Sequence, residues 1–219
     1  MSRGHEIDQR RELIRIYGEL TRKNLVKGTS GNVSVRTDEG ILITPTGVPC
    51  DGMRDEDMVL VRWDGTCIGR MAPSSEWPFH LEILKSREDL GAIVHTHSPF
   101  ATAVSILEMD IPALHYRIAA VGGATIRCAP YATFGTSQLA ERAVEAMRGR
   151  RACLLAHHGV IAAHETLAKA LNVAEIVEEL AQYLIYCLPR GDIPVLPDEE
   201  VERVMEKHKT YGQPILARR

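Results

Sequence analysis

From Glu6 to Lys27 the apolar residues Ile7, Leu13, Ile14, Tyr17, Leu20 and Leu25 recur at roughly helical spacing among charges. That pattern predicts a helix, with Gly28 placed as its C-terminal cap. The period then changes. Val33-Ser34-Val35-Arg36 alternates, Asp38-Glu39-Gly40 reads as a turn, and Ile41 to Thr44 completes a hairpin. Met58 to Arg62 and Thr66 to Ile68 flank a Trp63-Asp64-Gly65 turn and predict a second hairpin. Pro73-Ser74-Ser75 is a helix entry in which Ser offers an N-cap oxygen, and Phe79, Ile83 and Leu84 follow as its apolar positions. Pro78 is tolerable there because it falls in the first turn.

Farther along, Ala92-Ile93-Val94-His95-Thr96-His97 reads as a strand and Ser98-Pro99 opens a short helix through Leu107. Ile126 to Tyr131 predicts a strand and Thr136 to Met147 a capped helix. Ala152 to Ala163 predicts a long apolar strand interrupted by His157-His158-Gly159. A strong helix from Thr166 to Leu188 and a short one from Pro197 to about Lys207 finish the pattern. Early hairpins mixed with helices throughout predict an α/β fold, with a central, mostly antiparallel β-sheet covered by helices. No Gly-x-Gly-x-x-Gly follows a strand, which argues against a dinucleotide fold.

At 219 residues the chain suits a single domain over 1–219. Apolar residues make up 45% and charged residues 25%, an ordinary globular balance. A net charge of −3 offers no basic footprint for nucleic acid and no polybasic patch for a membrane. No apolar run approaches the ~20 residues that span a bilayer. The charged N-terminus has no signal-peptide core, and five scattered cysteines without Cys-x-x-Cys suit reduced thiols in a cytoplasm.

Strand side chains alternate faces, so His95 and His97 project to the same side, where two imidazoles can reach one metal ion. Adjacent strand residues face opposite ways, so one of His157 and His158 can join them as a third ligand, and Gly159 allows a close approach. Three protein ligands with one open position is the catalytic zinc arrangement. The small-residue loops Gly28–Asn32, Thr44–Gly47 and Pro73–Ser75 supply backbone N–H groups and hydroxyls but no lysine. Donors of that kind beside a helix N-terminus hold a phosphate. Glu76, at the helix start, serves either the helix dipole, a metal or a proton.

The segments G-T-S-G-N-V-S-V-R, T-P-T-G, P-S-S-E-W, H-T-H and H-H-G, in this order, resemble the class II aldolase/adducin family. I-P-A-L-H-Y, C-A-P-Y-A-T-F-G-T and E-K-H-K-T-Y-G extend the resemblance over nearly the whole chain and to the aldolase branch. The resemblance implies one zinc ion per subunit on His95, His97 and His158, with Glu76 a ligand at rest that swings away to act as acid/base. It implies a substrate phosphate against Gly31, Asn32, Thr46, Gly47, Ser74 and Ser75. Tyr116 is implied as a proton donor from the adjoining subunit of a C4 homotetramer, with Phe134 and Tyr211 lining the aldehyde side. Thr96, between the metal histidines, stands where Asn is expected.

The implied reaction is reversible cleavage of a ketose 1-phosphate to dihydroxyacetone phosphate and an aldehyde. L-Fuculose 1-phosphate, giving L-lactaldehyde, is the leading substrate, and 5-deoxy- or 5-methylthioribulose 1-phosphate is the competitor. A sugar-phosphate epimerase or dehydratase on the same fold would share the histidines and loops. A non-catalytic adducin-like module would lack the metal histidines, all of which are present.

Overall fold

The computed structural model describes residues 3–210, with side chains from Glu6. Helix α1 (Arg3–Arg22) leads into the hairpin of β1 (Asn32–Arg36) and β2 (Gly40–Ile43), then into the hairpin of β3 (Val59–Arg62) and β4 (Cys67–Ile68). Next come α2 (Trp77–Ser86), β5 (Ala92–Thr96), α3 (Pro99–Ile106), β6 (Ile111–Pro112), β7 (Thr125–Ala129) and α4 (Ser137–Ala146). β8 (Ala152–Leu155), β9 (Gly159–His164), α5 (Leu167–Cys187) and α6 (Asp198–His208) follow among the described residues.

The nine described strands form one sheet in the order β4-β3-β2-β1-β5-β9-β8-β7-β6. Every pairing is antiparallel except that of β7 with β8, so the sheet is mostly antiparallel as the pattern predicted. Both faces are covered. Val94 of β5, Leu154 of β8 and Val160 of β9 join Leu13, Val104 and Val177 of α1, α3 and α5 in one core layer. The intervening residues Ile93, Cys153 and Ile161 point the other way, against Phe79 of α2 and Leu139 of α4. Burial on both faces is why the central strands read as unbroken apolar runs. Each fully buried Leu or Ile contributes roughly 1.5–3 kcal/mol, well above differences in helix or strand propensity, so packing decides these elements.

The helix stop after α1 differs from expectation. The left-handed residue at the helix end is Asn24, with φ 56°, and Gly28, also left-handed at φ 60°, lies in the loop beyond it. The Asn24 N–H bonds Thr21 O at 3.1 Å and the Leu25 N–H bonds Leu20 O at 2.9 Å. This is a Schellman motif, and its Leu20 and Leu25 are both buried in the same core cluster. At α2 the N-cap is Glu76 rather than a serine, and its side chain makes no cap hydrogen bond. The 152–163 run is a tight hairpin rather than a single strand, Leu155 pairing with Gly159. Two-residue β6 and the 3-10 helices Cys50–Gly52, Asp55–Asp57, Tyr116–Val121 and Leu188–Arg190 are too short to leave a periodic signal.

Candidate metal centre and substrate cavity

His95 is the fourth residue of β5 and points to the α2 face, where its ring meets the edge of Phe79 at a centroid distance of 5.3 Å. β5 ends at Thr96, so His97 lies one residue past the strand. The two rings still converge, His95 Nε2 lying 2.9 Å from His97 Nε2. His158 arrives from the β8–β9 turn, its ring centroid 4.9 Å from that of His95 and 5.0 Å from that of His97. The turn corrects the strand reading of the His157-His158 pair. His157 takes φ 54°, and this left-handed step sends the two imidazoles to different places. His157 is held outward, its N–H on Ser105 O at 3.1 Å and its Nε2 2.9 Å from Glu108 Oε1. Gly159 makes the close approach possible: a Cβ there would lie 2.4 Å from Thr96 O.

Glu76 completes the group. Its Oε1 is 2.9 Å from His158 Nε2 and its Oε2 is 3.2 Å from His95 Nε2. One donor atom from each of Glu76, His95, His97 and His158 lies within 4.8 Å of every other. Glu76 is only 7% exposed. Burial pushes its carboxyl up, but His95 and His158 beside it outweigh that and hold it well below the usual carboxylate range. Burial, reinforced by His95 and His158, holds the His97 imidazole down to about 3 and so neutral.

The donor set fits a divalent cation. His95 Nδ1 donates to Val160 O at 2.8 Å, which leaves Nε2 with its lone pair when the ring is neutral. That lone pair faces His97 Nε2 at 2.9 Å and a carboxylate oxygen at 3.2 Å. Converging electron pairs of this kind repel unless a positive charge lies between them. Three imidazoles and one carboxylate suit zinc or a similar ion.

A second buried chain runs into the same carboxylate. Asn32 Nδ2 donates to Glu76 Oε2 at 2.8 Å, and Asn32 Oδ1 lies 2.5 Å from His80 Nε2. His80 Nδ1 in turn meets Ser34 Oγ at 2.7 Å. Burial, with His95 nearby, holds the His80 imidazole down to about 3.

A cavity of about 320 Å³ opens onto the cluster. Its far end is built from the three small-residue loops. Thr46 N–H bonds Ala72 O at 3.1 Å and Ser74 N–H bonds Thr44 O at 3.0 Å, tying two loops together. The third passes over the metal strand at Gly31 (φ 79°), where a Cβ would lie 2.7 Å from His95 O. Gly31, Asn32, Thr46, Gly47, Ser74 and Ser75 all line this end, at the N-terminus of α2, and no Lys or Arg lines the cavity among the described residues. Phe134, Tyr131 and His157 also line the cavity. Tyr116 is 52% exposed and does not line the cavity of its own chain. Tyr211 lies outside the described residues. Sequence reasoning passed over Tyr131 and His80. The signal for His80 was a histidine four residues after Glu76, on the helix stripe that carries Ile83 and Leu84.

The comparisons with known proteins agree with this geometry. The family described as "Class II Aldolase and Adducin N-terminal domain" matches residues 11–185. A 5-methylthioribulose-1-phosphate/5-deoxyribulose-1-phosphate aldolase of Rhodospirillum rubrum is 49% identical over 209 residues, 95% of each chain. An L-fuculose phosphate aldolase of Escherichia coli K12 is 50% identical over 203 residues, 92% of this chain and 94% of that one. A solved L-fuculose 1-phosphate aldolase superposes with a TM-score of 0.89 at 41% identity, over 92% of this chain and 96% of its own. A family match across most of the chain, near-full-length relatives, and three histidines and a glutamate gathered beside three lysine-free loops together place this chain in the class II aldolase and adducin family.

Proposed function

We propose that the chain is a metal-dependent aldolase that reversibly cleaves a ketose 1-phosphate to dihydroxyacetone phosphate and an aldehyde. One observation carries this reading: the Glu76–His95–His97–His158 cluster and a lysine-free, hydroxyl-rich loop end share a single cavity. The phosphate rests against the Gly31–Asn32, Thr46–Gly47 and Ser74–Ser75 loops, where N–H groups, hydroxyls and the positive end of α2 hold it. A zinc ion, one per chain on His95, His97 and His158, supplies Lewis acidity for the negative charge that develops on the ketose oxygens.

The remaining steps fall to side chains. The C3–C4 bond breaks, and its electron pair passes into the three-carbon phosphate fragment. The C4 hydroxyl proton passes to Tyr116 of a neighbouring copy, whose phenol releases its own proton to solvent as it accepts. Glu76 swings away from the histidines, takes a proton from solvent and delivers it to C3, the carbon next to the carbonyl. In the condensation direction the carboxylate takes that proton back. Among the described residues no lysine lines the cavity, which supports a metal-dependent route over a Schiff base. The exposed Tyr116, Ile106, Leu107 and Phe134 give the chain an apolar surface for self-association, which supports sites between the subunits of a homotetramer with Phe134 on the aldehyde side. No described helix is long and apolar enough to cross a membrane. The five free cysteines support a cytoplasmic enzyme.

L-Fuculose 1-phosphate and 5-deoxy- or 5-methylthioribulose 1-phosphate differ only beyond the phosphate and carbonyl atoms, and relatives of both names are about half identical to this chain. The test is release of dihydroxyacetone phosphate from each by the zinc-loaded protein, with kcat/KM compared between them. Release that stops with a chelator and returns with zinc supports the reading. A metal-loaded protein that isomerises or dehydrates these substrates, or leaves all of them intact, overturns it.

A further inference from the structure

His80 has no part in the reaction as set out above, yet it is completely buried beside it. It follows Glu76 by four residues, so both side chains leave α2 on the same face. The hydrogen-bond chain there has only one consistent direction. An ionised carboxylate accepts and does not donate, so the Asn32 amide must turn its Nδ2 toward Glu76 Oε2. That leaves Oδ1 facing His80 Nε2, and because an amide oxygen also only accepts, Nε2 must carry the hydrogen. The neutral ring then has its lone pair on Nδ1, and the Ser34 hydroxyl donates to it.

We infer that His80 is a positioning residue: anchored by Ser34, it locks the Asn32 amide with its NH2 group toward Glu76 and so aims the carboxylate that moves the substrate proton. This rests on Glu76 being the acid/base assigned above. Without the Nε2–H, nothing at the far end tells the amide nitrogen from the amide oxygen. A flipped Asn32 would set its carbonyl against the carboxylate and push it out of line. Asn32 is 4% exposed and His80 fully buried, so bulk water cannot replace the missing donor. The second Nδ2 hydrogen stays available to the cavity that Asn32 lines.

If His80 served only to fill space, volume rather than hydrogen-bond direction would decide. Gln can place an amide N–H near the Nε2 position, whereas Leu keeps the bulk without a donor. For zinc-loaded, folded H80L we expect kcat on the ketose 1-phosphate and deuterium exchange into dihydroxyacetone phosphate to fall together by roughly 10–100-fold, with KM little changed. H80Q should recover most of the loss. Combining H80L with N32A should cost no more than the worse single change, because both break one chain. Equal losses in H80L and H80Q, or no loss in H80L, overturn the inference.

Should H80L fail to fold, the ring nitrogens decide directly. The 15N spectrum of histidine-labelled wild-type protein should show His80 as the Nε2–H tautomer, assigned by its disappearance in H80Q. An Nδ1–H tautomer overturns the chain. A wild-type protein with Nε2–H at His80 that cleaves no ketose 1-phosphate overturns the functional reading instead, and leaves the hydrogen-bond direction supported.

Discussion

Asn32 stands directly opposite His95 in the antiparallel pairing of β1 with β5. The first residue after the Gly28–Gly31 loop and a metal-cluster histidine therefore share one rung of the sheet. Their spacing is fixed by backbone register rather than by flexible side chains. A one-residue slip would turn His95 to the opposite face, into the layer that holds Val94. In the proposed reaction this rung sets the distance between the phosphate end of the substrate and its carbonyl.

The metal assignment separates two adjacent histidines. His158 points into the cluster, while His157 bonds Glu108 outside it. We predict that H95A, H97A and H158A each hold well below one zinc per chain after dialysis, and that H157A remains fully loaded. Metal analysis of the purified proteins decides it, and full occupancy in H158A would reject the ligand set.

Ser75 is an exposed hydroxyl at the loop end of the cavity, next to the start of α2. Removing a hydrogen bond to a charged group costs about 1.5–3 kcal/mol. We predict that S75A weakens binding of the phosphorylated ketose by ~10-fold or more, and leaves the zinc content unchanged. Steady-state kinetics with unaltered KM and kcat would take Ser75 out of the phosphate site.

Glu76 touches both the histidines and Asn32, so it is placed to be a ligand, a base, or each in turn. A chiefly structural ligand would cost the protein its metal when neutralised. A base would leave the metal and stop proton transfer, a loss of typically ~10²–10⁴ in rate. We predict that E76Q stays folded and zinc-loaded, and fails to exchange the proton next to the carbonyl of dihydroxyacetone phosphate in D₂O. Normal exchange by a loaded E76Q protein would move the base elsewhere, with Tyr116 the first place to look.

These groups were unequally legible in the sequence. The pair His95 and His97 was readable because a period of two is local, and the two hairpins because alternation and turn residues agree. The third ligand was named only through the family resemblance. Its delivery by a turn was hidden, since an apolar run buried on both sheet faces looks the same whether it continues or folds back at His157. Asn32 and His80 were harder still. Asn32 reads as a loop residue suited to phosphate, yet its amide is engaged by residues 44 and 48 positions away. His80 interrupts an apolar stripe, and no local pattern distinguishes a buried histidine with two partners from an incidental one.

The burial of His80 also has a thermodynamic signature that does not involve turnover. Its imidazole titrates near the ordinary 6.5 in the unfolded chain, and burial holds it down to about 3 in the folded protein. Between those values the unfolded chain binds a proton that the folded one does not, so stability rises with pH and is lost as pH falls below about 6.5. One such group contributes a slope of about 1.4 kcal/mol per pH unit within that window. Glu76 and His97, whose pKa values are also lowered on folding, make stability rise with pH in the same direction, so the wild-type slope alone does not isolate His80. The difference between wild type and H80Q does, because the other groups are common to both. We predict that the metal-free wild-type protein loses roughly 2 kcal/mol more than H80Q between pH 7 and pH 5. Urea unfolding at the two pH values, at one protein concentration, measures it. Parallel losses in the two proteins would mean that His80 accepts a proton in place, which the amide oxygen on one side of its ring and a hydroxyl proton on the other are arranged to prevent.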